Sequence, residues 1–475
     1  MTEFNYSLGD VVLDRVVGGV PPGSLLVILG HPGAGKTTFA AKFILENAKT
    51  LAVKAIYISL AESKEKFLAN MKKLGLEFEE LEKRNLFEYI HIPTVAGPDT
   101  IDFISSILSD KMVRENARIV VIDSITPLLS FLGTEKGRAF LHATLYNLAV
   151  ALKGVILLIA DLPWGRETID LGGIEFVADA VLVFKTRMER SLLYRFIEIR
   201  KFRGAPIPLA EIPFVITEGE GIRLFPLLPP EEIQPLSMER CYLTGCKPLD
   251  DAWGGIPKGS NIVVLYPKNG NIPFTLLGIL TKLIVSNSIK FGVISFELPA
   301  LWLVKAFEAA ARHYGMDAMK VQQLLVLERS FNPTLYSPQE LIATILTHVE
   351  KSRAEMIILH GVNVLYEVYD PQQVRPVLYN AIQFFRKLGV VTINMLEGNL
   401  KDLGKILSYS PDVLHTVVYV GNEYTGYTLR HVVWKSLPRF LTGLTIHDRP
   451  IILDDDKLAT CLGEYRGPLT FSLSS

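Results

Sequence analysis

Between Leu29 and Phe39 the sequence reads LGHPGAGKTTF, with glycines at 30, 33 and 35 followed by Lys36, Thr37 and Thr38. Glycines let a backbone curl until successive N–H groups converge on one anion, and a lysine directly after them adds a point charge. The spacing G-x-x-x-x-G-K-[ST] is that of a loop cradling the phosphates of a nucleoside triphosphate, provided a strand precedes it and a helix follows. Both are expected here: the apolar run LLVIL ends at Gly30, and Lys36 opens a helix-like segment whose positive end would face the anion. A plain glycine turn is the simpler alternative, and the flanking strand and helix argue against it. The binding set is therefore Gly30, Gly33, Ala34, Gly35, Lys36, Thr37 and Thr38. Lys36 would bridge the β- and γ-phosphates, and the Thr37 hydroxyl would ligate Mg²⁺.

Four further positions carry candidate chemistry. ARIVVIDS places Asp123 at the carboxyl end of an apolar strand, where open α/β sheets bind ligands, so its carboxylate is expected on the Mg²⁺ shell. Glu62 follows the strand KAIYISL and could polarise an attacking water, although a solvated first-turn glutamate ahead of SKEKFL fits equally. Lys201 and Arg203 end the strand LYRFIEIRKFRG on alternate positions, hence on one face, and could reach a phosphate bound by a neighbouring subunit. Cys241 and Cys246 have no second pair to complete a zinc site, and the run DDDK from Asp454 to Lys457 reads as a solvated turn.

Positioning these groups requires a parallel sheet. The runs LLVIL, KAIYISL, ARIVVID, GVILLIA, ADAVLVF and LYRFIEI alternate with helix-length segments, which predicts an α/β unit with helices on both faces and an antiparallel hairpin at one edge. The plan is written twice. GGVPPGSLLVIL before the loop is answered by GGIPKGSNIVVL at an offset of 236 residues, the distance from Gly23 to Gly259. NIVVLY, FGVISFE, AEMIILHG, GVVTINML, TVVYVGN and TLRHVVWK repeat the strands. The expected organisation is one domain over 1–225, a Pro/Glu-rich linker over 226–238 and a second domain over 239–475.

The bulk properties exclude several classes. With 49 basic and 50 acidic residues, no global field draws the chain to nucleic acid or an anionic membrane. The N-terminus MTEFNYSLGD lacks a signal peptide's basic start and apolar stretch, and apolar runs such as LYNLAVALKGVILLIADLPW are broken by Lys153 and Asp161. Three cysteines fit a reducing compartment and argue against a disulfide framework. A cytoplasmic protein without membrane insertion is expected.

The motifs GGVPPGSLLVILGHPGAGKTTFA, YISLAESKEKFLANMKKLG, VVIDSITPLL, EFVADAVLVF and IEIRKFRGAPIPLAEIPFVIT, in this order, resemble the two-domain KaiC-like ATPases of the RecA superfamily over most of the chain. The resemblance implies two tandem RecA-like P-loop domains, ATP and Mg²⁺ as cofactors, and a homo-oligomer, such as a hexameric ring, with ATP between subunits. It also implies that Lys201 and Arg203 reach the neighbour's γ-phosphate, and it suggests an archaeal source. The departures are informative. Relatives carry two consecutive glutamates after the second strand, the first being the general base; this chain has Ala61 and then Glu62, so slow hydrolysis is expected. Hydroxyl residues common after the GVILLI strand are replaced by Ile159 and Ala160.

In the second copy the offset converts Gly30 to Tyr266, Gly35 to Asn271, Lys36 to Ile272 and Thr37 to Pro273, while His360 stands near the place of Asp123. Without lysine and Mg²⁺ ligands the triphosphate charge lacks compensation, and Pro273 removes a backbone donor. The second domain reads as a pseudo-ATPase contacting an unknown protein partner, and autokinase activity on Ser408 or Ser410 is not supported. Three activities remain open. They are a slowly hydrolysing ATPase regulator, a RadA-like recombinase paralogue binding DNA, and a non-catalytic ATP-gated scaffold. Near-neutral charge and the lack of an N-terminal helix-hairpin-helix speak against the second.

Overall fold

The computed structural model describes residues 5–92, 98–163, 174–225, 232, 235–236, 241–253, 255–267, 272–398, 411–422, 426–435 and 451–463. The chain divides into two units, residues 1–226 and 227–475. Each is a RecA-like α/β unit with a mostly parallel sheet flanked by helices. Most of the stretch between Phe225 and Arg240, and both Ser408 and Ser410, lie outside the described residues.

In the first unit β1 (Ser24–Gly30) is buried along its whole length, which is why it reads as a continuous apolar run. Leu26 and Ile28 enter the core on one face, and Leu25, Val27 and Leu29 enter the core on the other. Around it lie β2 (Lys54–Ser59), β3 (Phe87–His91), β4 (Ala117–Asp123), β5 (Val155–Asp161), β6 (Ala180–Glu189), β7 (Leu192–Phe202), β8 (Glu211–Thr217) and β9 (Gly221–Leu224). The spatial order is β3-β2-β4-β5-β1-β6-β7-β8-β9. Pairing is parallel from β3 to β6 and antiparallel from β6 to β9. The expected β6–β7 hairpin is present, turning through Arg190 and Ser191 at φ 50° and 63°. It is not the edge, because β8 and β9 extend the sheet beyond it.

Gly30 belongs where it is because a Cβ there would lie 2.5 Å from the Phe184 carbonyl oxygen. After the loop, α2 (Lys36–Leu51) buries Phe39, Ala40, Phe43, Ile44 and Ala48, the recurrence of a helix packed on a sheet. Its N-cap is Gly35 at φ 105°, with no side chain capping the first turn. The N–H groups of that turn are thus left for a ligand.

The second unit repeats the scheme with β12 (Asn261–Tyr266), β13 (Phe291–Ser295), β14 (Leu325–Ser330), β15 (Met356–His360), β16 (Val391–Glu397), β17 (Val413–Asn422), β18 (Gly426–Lys435) and β19 (Ile451–Asp454), ordered β14-β13-β15-β16-β12-β17-β18-β19. A separate short ladder pairs β10 (Cys241–Tyr242) with β11 (Ile256–Pro257). Two expectations are corrected here. The acidic run is not a solvated turn: Asp454 ends β19, and Asp455 begins the helix Asp455–Leu462 and accepts from the buried His431 at 2.8 Å. Nor are the cysteines all free, because Cys246 and Cys461 form a disulfide across 215 residues. The cysteine argument for a reducing compartment is withdrawn with it. Among the described residues no helix is long and apolar enough to cross a membrane.

Candidate nucleotide site

The carboxyl ends of β1, β4 and β5 bring three of the sequence-selected side chains together. Thr37, in the first turn of α2, donates its hydroxyl to Asp123 Oδ2 at 2.8 Å. The same oxygen accepts from the Tyr57 hydroxyl at 2.5 Å. Burial raises the Asp123 pKa above the usual carboxylate range, and the hydrogen bonds from Tyr57 and Thr37 oppose the rise. Tyr57 is held well above its ordinary value by its own burial and then by the charge of Asp123, so the phenol stays a donor.

Lys36 is buried at 6% exposure and its ammonium has three oxygen partners. These are the Gly30 carbonyl at 2.8 Å, the His31 carbonyl at 3.0 Å and Asp161 Oδ1 at 3.0 Å. Gly33 has φ 76° and open space where a Cβ would sit. A concave loop of backbone N–H groups, an ammonium, a hydroxyl and a carboxylate at an uncapped helix start is a donor set that fits a magnesium nucleotide. Ala34 lies within the loop and Thr38 one residue beyond Thr37, both in the segment expected to bind. Thr37 Oγ1 and Asp123 Oδ2 are the oxygens a divalent ion would take.

Glu62 is placed differently. Its backbone N–H rests on Ser59 Oγ at 3.0 Å, while its carboxylate accepts from Asn70 at 3.0 Å and lies 3.8 Å from Lys66, both on α3 (Lys64–Lys73). The carboxylate is thus held by the helix that follows it. Tyr57 and Asp161 were not selected from the sequence. Asp161 could have been found by the rule that found Asp123, since it too is a carboxylate at the carboxyl end of an apolar strand.

Lys201 and Arg203 sit at the other end of the sheet. Because β7 runs antiparallel to β6, Phe202 pairs with Ala180 at the start of β6. Lys201 Nζ donates to the carbonyls of Glu175 at 2.8 Å and Phe176 at 3.4 Å, and burial followed by the charge of Arg203 lowers its pKa. Arg203 pairs with Asp179 at 2.8 Å, and Asp179 in turn accepts from the Leu25 N–H. Leu25 and Gly30 are five residues apart along β1, about 17 Å at 3.3 Å per residue. The two cations are therefore remote from their own chain's Lys36, and Arg203 lines a cleft of about 450 Å³ with Pro21, Tyr146 and Lys153.

In the second unit His360 occupies the place of Asp123, as shown by the pairing of Ser295 with His360 where the first unit pairs Ser59 with Asp123. Tyr266, in Gly30's place, fills the strand end: its hydroxyl is 3.2 Å from His360 Nε2, and Ser295 Oγ is 3.1 Å from Nδ1. Pro273 precedes the helix Phe274–Asn287 where Thr37 would stand. Residues 268–271 and 436–450, which include the counterparts of most of the loop, lie outside the described residues.

A parallel sheet ending in a phosphate loop after β1, with a magnesium-type carboxylate at the end of β4, the next strand but one, defines a P-loop NTPase unit of the RecA type. Residues 10–228 match the family described as the KaiC ATPase. The curated relatives include the circadian clock protein KaiC2 of Synechocystis, 28% identical over 256 residues, covering 52% of this chain and 44% of that protein. The circadian clock oscillator protein KaiC of Picosynechococcus is 28% identical over 248 residues, covering 50% and 47%. KaiC3 of Synechocystis is 26% identical over 259 residues, covering 52% and 50%. The chain spans about half the length of the curated relatives it matches. Over residues 10–228 the chain is similar to the KaiC ATPases of the RecA superfamily.

Proposed function

We propose that the first unit binds ATP with Mg²⁺ and hydrolyses it slowly, and that occupancy of this site controls the assembly or conformation of a second unit that binds no nucleotide. The observation that carries this reading is the asymmetry between the copies. Lys36, Thr37 and Asp123 converge in the first unit, whereas Ile272, Pro273 and His360 take their places in the second. When bound, Mg²⁺ would neutralise phosphate charge and polarise the γ-phosphoryl group. The chain's own part is positional. Thr37 and Asp123 would supply oxygen ligands to the ion, the loop N–H groups of Gly33 to Thr37 would orient the phosphates, and Lys36 would supply charge at their end.

Lys201 and Arg203 belong to the same proposal as groups acting on a neighbouring copy. Arg203 is anchored through Asp179 beside Leu25, roughly 17 Å from Gly30 along β1, and a ring of identical subunits, hexameric as the resemblance implies, would bring a neighbour's site to both cations. A cytoplasmic location stays part of this reading. A second reading is favoured by Ala61 and by the engagement of Glu62 with Asn70: ATP binding alone orders the assembly, without turnover.

Light scattering with and without ATP, combined with phosphate release, tests both. Slow release and a nucleotide-dependent change in mass are expected. An ATP-dependent assembly without release selects the scaffold, and a chain that neither binds nor assembles with ATP removes both readings.

A further inference from the structure

The Lys36 ammonium has three partners within the loop and at its margin: it donates to two carbonyls and forms an ion pair with a carboxylate. Two of these are the carbonyls of Gly30 and His31, which belong to the loop itself. The third is the charged one, Asp161. Its position follows from strand register: Asp161 lies directly beside Gly30 across the β1–β5 pair, and its N–H is tied to Thr126 Oγ1 at 2.7 Å. The neighbouring Leu162 N–H also bonds the Gly30 carbonyl at 3.0 Å, fixing the strand end against the loop. The ammonium is nearly enclosed while the carboxylate is half open, their side chains being 7% and 45% exposed. A charge so enclosed is tolerated only with a partner.

We propose that Asp161 is a latch on the nucleotide site: it holds Lys36 in the ATP-free chain, must release it for the phosphates, and so sets the affinity for ATP. The proposal rests on the reading of Lys36 as a phosphate ligand. The argument is one of linkage. An ion pair present only in the nucleotide-free state stabilises that state and weakens binding by the same amount. After release, the carboxylate also remains beside a polyanion, which adds to the cost. Asp161 is thus a positioning residue acting through Lys36. The second copy gives an internal comparison, since Glu397 stands at the end of β16 in Asp161's place while the lysine has become Ile272. There burial, followed by the charges of Glu397 and Glu367, raises the pKa of Glu297, just past the end of β13.

The test uses the full chain and two measurements. Titration calorimetry with a slowly hydrolysed ATP analogue and Mg²⁺ should show Asp161→Asn binding about tenfold tighter than the parent, equivalent to about 1.4 kcal/mol, with Asp161→Glu close to the parent. The nucleotide-free Asp161→Asn protein should melt at a lower temperature, because an enclosed ammonium has lost its counter-charge. Equal or weaker binding by Asp161→Asn overturns the latch. If that variant is too unstable to purify, Lys36→Met/Asp161→Asn, which removes the orphaned charge as well, should fold and melt higher; a double variant no more stable than the single one also overturns it. The melting comparison needs no ligand. Absence of Lys36-dependent binding in the parent would therefore count against the ATP reading, while the melting cycle still decides the ion pair.

Discussion

Tyr266 stands in the second unit where Gly30 stands in the first, and its hydroxyl lies 3.2 Å from Nε2 of His360, the residue in Asp123's place. A phenol and an imidazole thus occupy the strand ends that carry the lysine-bonded carbonyl and the carboxylate in the first unit. The consequence is stoichiometric. Titration with a slowly hydrolysed ATP analogue should give one equivalent per chain, abolished by Lys36→Ala. Two equivalents, one surviving that substitution, would falsify the pseudo-ATPase reading.

Arg203 anchors on Asp179 near the start of β1, so any action on phosphate must be on another copy. Arg203→Ala and Lys36→Ala proteins should each turn over ATP weakly, and a mixture should regain activity at hybrid interfaces. Arg203 is half exposed, so loss of the pair should cost on the order of 1 kcal/mol of stability or less. Normal hydrolysis by Arg203→Ala as the sole species rules out the role in trans.

Glu62 presents a different problem, because its carboxylate is bonded to Asn70. A general base must reach the attacking water directly or through one further water. Glu62→Gln should lower turnover by about a hundredfold with analogue binding retained, and Asn70→Ala, which frees the carboxylate, should raise it. Ala61→Glu, restoring the glutamate pair, should also raise it. Parent rates in all three variants would remove the base from this strand end.

The sheet's parallel core was legible because buried strands are apolar throughout, and the loop because its chemistry leaves few alternatives. What escaped did so for physical reasons. β3 alternates buried and half-exposed positions at a sheet edge, so FEYIH carries no continuous apolar signal. β8 and β9 likewise extend the sheet with strands that are not uniformly buried. Asp161 was hidden by its neighbours: it looked like an interruption of an apolar run until register put it beside Gly30. Glu62 was correctly placed at a strand end, but the pull of Asn70 and Lys66 belongs to a helix packing that spacing does not report. Cys246 and Cys461 are 215 residues apart, and nothing local signals that a terminal helix returns to the start of its unit.

That disulfide ties the helix Asp455–Leu462 to the segment before Lys247–Trp253. Lys282 adds hydrogen bonds to the carbonyls of Cys461 at 2.9 Å and Leu462 at 3.3 Å. Closing so long a loop restricts the unfolded chain, and its removal should cost roughly 2–5 kcal/mol. Alkylation of the unfolded, unreduced protein should label Cys241 alone, and Cys461→Ser should lower the urea midpoint of the second unit. Three labelled thiols, or an unchanged midpoint, would contradict the link.

Acid should weaken the second unit through its buried histidines. Trp253 Nε1 can only donate, so His415 Nδ1 accepts at 3.2 Å; His415 Nε2 then donates to His431 Nδ1 at 2.8 Å, and His431 Nε2 donates to Asp455 at 2.8 Å. The His415 ring is neutral in this chain of bonds, and a further proton on its Nδ1 would set two N–H groups face to face. Burial, followed by the charge of His431, pushes the His415 pKa well below its usual value. Burial alone pushes His360 down to about 4. In the unfolded chain a histidine titrates near 6.5. The folded state therefore refuses protons that the unfolded state accepts, and stability is complete above about pH 6.5 and declines as pH falls toward 4. For His360 the loss reaches roughly 2–3 kcal/mol at pH 4.5. Glu297 and Asp412, both raised chiefly by burial, act in the opposite sense, so the informative quantity is a difference between proteins. Urea midpoints of the second unit, followed from pH 7.5 to 4.5, should fall less steeply in His360→Gln than in the parent, by about one proton's worth of slope. Parallel curves would mean that His360 already titrates normally in the folded chain, and that burial does not hold it neutral.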